Sequence, residues 1–349
     1  MSWRARLTLL ALACAVSVPA RAARTLEIYF IDVEGGQSTL VVTPRGESLL
    51  IDTGFPGGGG TFTSTPGNPT EARDAGRILE AAHAAGVKRI DVLLITHFHA
   101  DHDGGVSELA QLLPIRQFVD HDRPLPSVES VKGSLAAFGW YEAVRAKGRH
   151  IVGSPGQRLP LKDVASVIVS SAGDTIARPL AGAGGANTAC GTSALPPDEP
   201  NENPRSTGVL LTFGKFRFLD VGDLTGAPLF NLACPRDRIG PVDVYLVAHH
   251  GNADAADPAT FAAFHPRVAI VNNGEQKGGA AKLLSALRDV AGMESWQLHR
   301  SAAGENTDEA RIANLDETTH DWIKISARED GSFSVMNART GASKSHPPR

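Results

Sequence analysis

From residue 25 onward, apolar positions come in short bursts separated by Gly-containing turns. Thr25-Leu26-Glu27-Ile28-Tyr29-Phe30-Ile31-Asp32, Gln37 to Thr43 and Ser48 to Asp52 predict three short strands that open an antiparallel sheet. The period then lengthens. Ala72, Ala75, Ile78, Leu79 and Ala82 recur at helical spacing between Thr70, a capping residue, and Gly86, a stop. The apolar run Ile90 to Ile95 predicts a buried strand, Val106 to Leu113 a helix, Ile115 to Val119 a strand and Val128 to Lys147 a second helix. Short strands are expected between Ile151 and Val169, and a long loop over the Gly-, Ala- and Pro-rich stretch from Ala172 to Pro204. Ser206 to Phe213 and Phe216 to Val221 read as a hairpin turning at Gly214-Lys215. Val242 to Ala248 and Val268 to Asn272 predict strands, Ala259 to Phe264 and Lys282 to Val290 helices, and Trp296 to His299 and Trp322 to Ser326 late strands. The polar tail, 341–349, is expected to fray. With no internal repeat or linker, this order reads as a single α/β domain over 23–340.

Composition narrows the class. The chain has 349 residues, a net charge of −4, 42% hydrophobic and 21% charged residues, which describes an ordinary globular protein with a substantial core. There is no basic excess and no specific nucleic-acid motif, so a nucleic-acid-coating protein is not expected. The N-terminus differs in kind: Arg4 and Arg6 precede the apolar run Leu7 to Val18, and Ala20-Arg21-Ala22 supplies small residues for cleavage. Residues 1–22 are therefore expected to be a signal peptide, and the mature protein to be exported, periplasmic or secreted. No later segment has the uninterrupted apolar length of a transmembrane helix. Cys14 would leave with the leader, and Cys190 and Cys234 would remain as an even pair able to form a disulfide in an oxidising compartment.

The chemistry is concentrated at strand ends. His97-Phe98-His99-Ala100-Asp101-His102, directly after Ile90 to Ile95, carries H-x-H-x-D-H. If the chain stays extended past Thr96, His97 and His99 project to one side; if it then turns into a helix, Asp101 and His102 sit on the first turn, aimed at a second ion. Gly104-Gly105 permits close backbone approach there. Imidazole with carboxylate suits zinc, with iron or manganese as alternatives. Other strands end in Asp52-Thr53-Gly54, Gly222-Asp223 and His249-His250-Gly251, so these polar groups are expected along one rim. His121, in the loop after its strand, is a further candidate to line the site. The four glycines at 57–60 lack a Gly-Lys-Ser/Thr ending, and read as a loop rather than a nucleotide cradle.

Taken in order, Asp52-Thr53-Gly54, the H-x-H-x-D-H loop, Gly222-Asp223 and His249-His250-Gly251 resemble the metallo-β-lactamase-fold hydrolases over roughly residues 26 to 300. The His-His-Gly ending, and the turn Asp32-Val33-Glu34-Gly35-Gly36-Gln37-Ser38, are similar to the branch holding competence-type DNA-uptake nuclease domains and phosphorylcholine esterases. The resemblance implies a four-layer αβ/βα sandwich with two zinc ions at one edge. By position it implies His97 and His99 on the first metal, Asp101 and His102 on the second, Asp223 bridging, and a further ligand from His249 or His250, with His250 favoured. It also implies that Asp52 hydrogen-bonds a ligand imidazole. One departure stands out. The family's usual histidine before the bridging Asp is missing, and Glu202-Asn203-Pro204-Arg205-Ser206 occupies that region, so Glu202 or Asn203 are candidates to complete the first site.

The activity so implied is hydrolysis: a metal-activated hydroxide, oriented by Asp101 or Asp223, attacks phosphorus or an acyl carbon. A phosphodiester or other small-molecule ester is the first expectation, with Arg205, Asn273 and Lys277 as candidate donors to phosphate oxygens. Hydrolysis of a lactam or lactone ring is the alternative. A secreted binding protein that keeps the fold and lacks the chemistry is a third reading, motivated by the missing histidine.

Overall fold

The computed structural model describes residue 1 and residues 25–57, 71–131, 133–192 and 200–349. The expected signal peptide therefore lies outside the described residues, apart from residue 1, as does the Thr70 cap. In chain order the first half holds strands β1 (Leu26–Phe30), β2 (Thr39–Val42) and β3 (Ser48–Ile51), helix α1 (Arg73–Ala84), β4 (Val92–Leu94), helices α2 (Ala100–Asp103) and α3 (Val106–Leu112), β5 (Gln117–Asp120), α4 (Ser134–Arg145) and β6 (Arg149–Val152). The second half runs β7 (Ala165–Ser171), β8 (Asp174–Thr175), β9 (Gly208–Phe213), β10 (Phe216–Asp220), α5 (Gly226–Ala233), β11 (Val244–Leu246), α6 (Pro258–Phe264), β12 (Val268–Val271), α7 (Ala281–Asp289), β13 (Glu294–His299) and β14 (Ile312–Asn314). Then β15 (Ile323–Ala327), β16 (Phe333–Asn337) and β17 (Ser343–His346) return to the first sheet.

Two sheets result, ordered β17-β16-β15-β1-β2-β3-β4-β5-β6 and β14-β13-β12-β11-β10-β9-β7-β8. Their packing follows from strand alternation. Leu49 and Ile51 of β3 face inward and meet Phe218, Val244 and Leu246 of the second sheet in one cluster, whereas Leu50 faces outward against α1, α3 and α4. The second sheet does the same in mirror order: Leu219 and Tyr245 face α5, α6 and α7. Strands covered on both faces read as continuous apolar runs, which is why β3, β4, β11 and β12 are buried throughout. The architecture is the four-layer αβ/βα sandwich.

The sequence reading needs correction at the periphery. The tail expected to fray contributes β17, antiparallel to β16, and the His346 ring stacks on Phe333 at 4.4 Å. The strands β14 and β16 were not expected as such, and the short β8 lies within the stretch expected to be a loop. The hairpin turn at Gly214-Lys215 is present, with Gly214 at φ +58° packed on the Glu329 backbone, where a Cβ would meet a carbonyl oxygen at 2.0 Å. Cys190 and Cys234 form a disulfide that ties the long loop to the end of α5.

Candidate metal centre

The parallel pairs β3–β4 and β10–β11 bring the ends of four strands to one edge. The chain leaves β3 through Asp52, held at φ +61°. One Asp52 oxygen accepts the Thr96 N–H, and the other accepts Thr96 Oγ1 and the Nδ1–H of His102, each at 2.7 Å. Because Nδ1 is committed to Asp52, Nε2 of His102 presents its lone pair on the opposite side. The Thr96 hydroxyl gives its proton to Asp52 and lies 3.1 Å from His97 Nδ1, which fixes that imidazole in the same way. His99 stays extended and caps α2, whose first turn supplies Asp101 and His102. Gly104 and Gly105 are required by proximity: a Cβ there would meet Ala100 O at 2.1 Å or Thr53 O at 2.2 Å.

From the other sheet, Val221 and Gly222 lead β10 into Asp223. A Cβ on Gly222 would meet Thr96 at 2.7 Å, so glycine lets the two halves close. His249 and His250 both sit at positive φ after β11, and His249 N donates to Gly222 O.

These pieces meet on Asp223. Its Oδ2 lies 3.1 Å from His250 Nε2, 3.3 Å from His102 Nε2, and 3.9 Å from both His97 Nε2 and His249 Nε2. Asp101 Oδ2 is 3.3 Å from His102 Nε2 and 3.1 Å from His250 Nε2, and Asp101, His102, Asp223 and His250 form one buried set of donor atoms able to hold an ion. Beside it, His97 Nε2 and His99 Nδ1 face each other at 2.9 Å. In neutral rings one of these nitrogens can donate to the other, and with both lone pairs free the two could instead share a cation. Asp223 Oδ1 is buried without a hydrogen-bond partner, as is Nδ1 of His250. The donors fit a divalent metal: imidazole and carboxylate without thiolate, suited to zinc and tolerant of iron.

Electrostatics agree with that chemistry at three donors, whereas at His102 burial is outweighed by Asp223, Asp101 and Asp52, which raise the ring well above its ordinary value and reflect the negative charge gathered there. Burial alone would raise Asp223, but His250 and His102 outweigh it and hold the carboxyl well below the usual range. Asp101 behaves likewise, through the Lys277 ammonium and His102. Burial lowers His97 well below its ordinary value, which keeps it neutral and able to donate a lone pair.

The remaining candidates differ in their surroundings. Lys277 contacts Asp101 Oδ2 and donates to Gly35 O at 2.6 Å. Arg205 is half-buried, its Nε lacks a partner, and it flanks a cavity of about 200 Å³ between the 201–205 segment and the start of α5. Asn203 reaches His249, whereas Glu202 turns away to His121, with His121 Nε2 3.1 Å from Glu202 Oε2. Asn273 is corrected: it is fully buried and its Nδ2 donates to Gly274 O and His299 O, so its side-chain amide N–H groups are engaged within the protein. Sequence reasoning missed Asp254, which binds His249 Nδ1 at 2.8 Å, and Thr96. Asp254 stands in no motif; only its closeness to the His-His pair along the chain could have marked it.

Comparison with known proteins follows the same lines. The family described as Metallo-beta-lactamase superfamily matches residues 31–257. A hydroxyacylglutathione hydrolase of Nitrobacter hamburgensis is 43% identical over 56 residues, 16% of this chain and 22% of that protein, so the chain spans about a fifth of that relative's length. Among solved structures, the metallo-beta-lactamase fold protein YhfI from Bacillus subtilis is similar at 11% identity and TM-score 0.45, over 78% of this chain and 96% of that one. CmlA, a diiron beta-hydroxylase from Streptomyces venezuelae, is similar at 16% identity and TM-score 0.37, over 72% and 45%.

Proposed function

The chain belongs to the metallo-beta-lactamase superfamily, and from that premise we propose that it is a metal-dependent hydrolase acting on a phosphodiester or a related anionic ester. The observation that carries this reading is the convergence of four imidazole nitrogens on one oxygen of Asp223, the arrangement a ligand shared by two ions needs. When bound, divalent ions would polarise the scissile bond and lower the pKa of a water from about 15.7 toward 7.

The protein's own part is orientation and charge. Asp52 and Thr96 fix the tautomers of His102 and His97. Lys277 keeps Asp101 ionised, and burial of the donors excludes bulk water from them. Support for an anionic substrate comes from Arg205, which lines the flanking cavity with its positive charge. Within the superfamily, His249-His250-Gly251 and the Asn203-x-x-Ser206 spacing favour the competence-type and phosphorylcholine esterase branch. Two zinc ions are the proposed cofactors. Export is proposed as well, supported by the Cys190–Cys234 disulfide, a bond that persists in oxidising compartments.

A second reading, thioester hydrolysis, is favoured by the 56-residue similarity to hydroxyacylglutathione hydrolase. One experiment separates them: elemental analysis of the purified protein, with turnover of bis-p-nitrophenyl phosphate, a hydroxyacylglutathione thioester, lactones and β-lactams before and after chelation. Chelator-sensitive cleavage of the phosphodiester is expected. Preferred turnover of the thioester would replace the first reading with the second, and bound metal without any turnover would leave a binding protein.

A further inference from the structure

His97 and His99 supply two imidazole nitrogens to the first donor pair, and Asp223, 3.9 Å from His97 Nε2, also serves the second set. The segment 202–207 is fastened beside them at three points. Thr207 N donates to Thr96 O at 2.7 Å, directly before His97. Glu202 pairs with His121, whose ring packs at 4.4 Å on Phe98, the residue between the two histidines. Asn203 Nδ2 lies 3.2 Å from His249 Nε2, itself 3.9 Å from Asp223 Oδ2.

The direction of the amide is set by a relay. Asp254 holds His249 Nδ1 at 2.8 Å, and the ring so fixed meets the Nδ2 end of the Asn203 amide at 3.2 Å, which turns Oδ1 away from it. The atom left over is Asn203 Oδ1, which is buried and has no hydrogen-bond partner, in a residue only 6% exposed. Leaving such an oxygen unpaired is unfavourable, and no hydrogen-bond donor meets it among the described residues.

We propose that Asn203 Oδ1 is a ligand of the first metal ion, aimed by the Asp254–His249–Asn203 relay. The inference rests on the reading of the cluster as a metal centre. It adds that His249 acts through Asn203, and that the first site, with a neutral amide oxygen in place of an imidazole, is the weaker of the two for zinc.

The test is equilibrium dialysis of the full chain against zinc with elemental analysis, repeated with cobalt to read the ligand-field spectrum. The wild type is expected to hold two ions with unequal affinity. Asn203→Ala should weaken the weaker site alone, and His249→Ala should weaken it about 10–100-fold by releasing the amide. Asn203→His should tighten it and shift the cobalt spectrum toward nitrogen ligation. Should Asn203→Ala fail to fold, the near-isosteric Asn203→Asp decides: a carboxylate raises weaker-site affinity if the atom ligates. Two ions bound with wild-type affinities by the Asn203 variants would overturn the inference alone. No ion bound by the wild type would overturn the metal centre and this ligand with it.

Discussion

At the scale of single residues, the centre depends on groups that never touch an ion. Asp52 takes three hydrogen bonds at 2.7 Å and so holds both the strand end and the His102 ring. Asp52→Asn should cut metal affinity by about 10–100-fold while the secondary structure is retained; zinc titration against a chromophoric chelator measures it, and wild-type affinity would remove Asp52 from the arrangement. How much of this was legible varies residue by residue. The H-x-H-x-D-H loop, Asp52, Asp223 and His250 were readable because each follows an apolar run that had to be a strand. Asp254 and the inward turn of Asn273 were not, and Asn203 could be named only as an alternative to Glu202, because loop side chains are aimed by tertiary contacts that leave no period in the sequence.

At the scale of elements, the end of β10 carries a buried acid, Asp220. Gln37 Nε2 and Gly222 N donate to Asp220, yet burial pushes its carboxyl up to about 7. The folded chain then keeps a proton that the unfolded chain has lost, so this group's contribution is full below its ordinary value near 3.8 and gone once pH has risen through about 7. In denaturant melts of the metal-free protein, stability should fall with rising pH across that window in the wild type and fall less in Asp220→Asn; parallel curves would refute the assignment.

The edge strand β17 teaches a different lesson. Its sequence, Ser343 to His346, is polar because only His346 is buried, and it pairs through its backbone, which hydrophobic patterning cannot register. Deleting 343–349 should lower the melting temperature and expose β16 as a new edge, detectable as increased aggregation on heating. An unchanged melting curve would show that the strand adds nothing.

At the scale of the molecule, the two sheets are joined by one apolar layer. The rings of Phe30 and Phe218 meet edge to face across it, with centroids 5.6 Å apart. Phe218→Ala should destabilise the protein by about 3–5 kcal/mol, read by denaturant unfolding. A loss below about 1 kcal/mol would mean that the layer collapses around the gap. This inner layer was the most legible part of the fold, since strands apolar along their whole length had to be covered on both faces.

The donor atoms are divided between these sheets: His97, His99, Asp101 and His102 follow β4 of the first, while Asp223 and His250 follow β10 and β11 of the second. An ion seated among them would therefore stitch the two halves together, and the unfolded chain offers no comparable grip. By mass action, free metal at a hundredfold excess over its dissociation constant would add about 2.7 kcal/mol to the folded state. Scarcity of metal would then remove folded protein as well as activity, leaving a chain more open to proteolysis wherever metal is withheld.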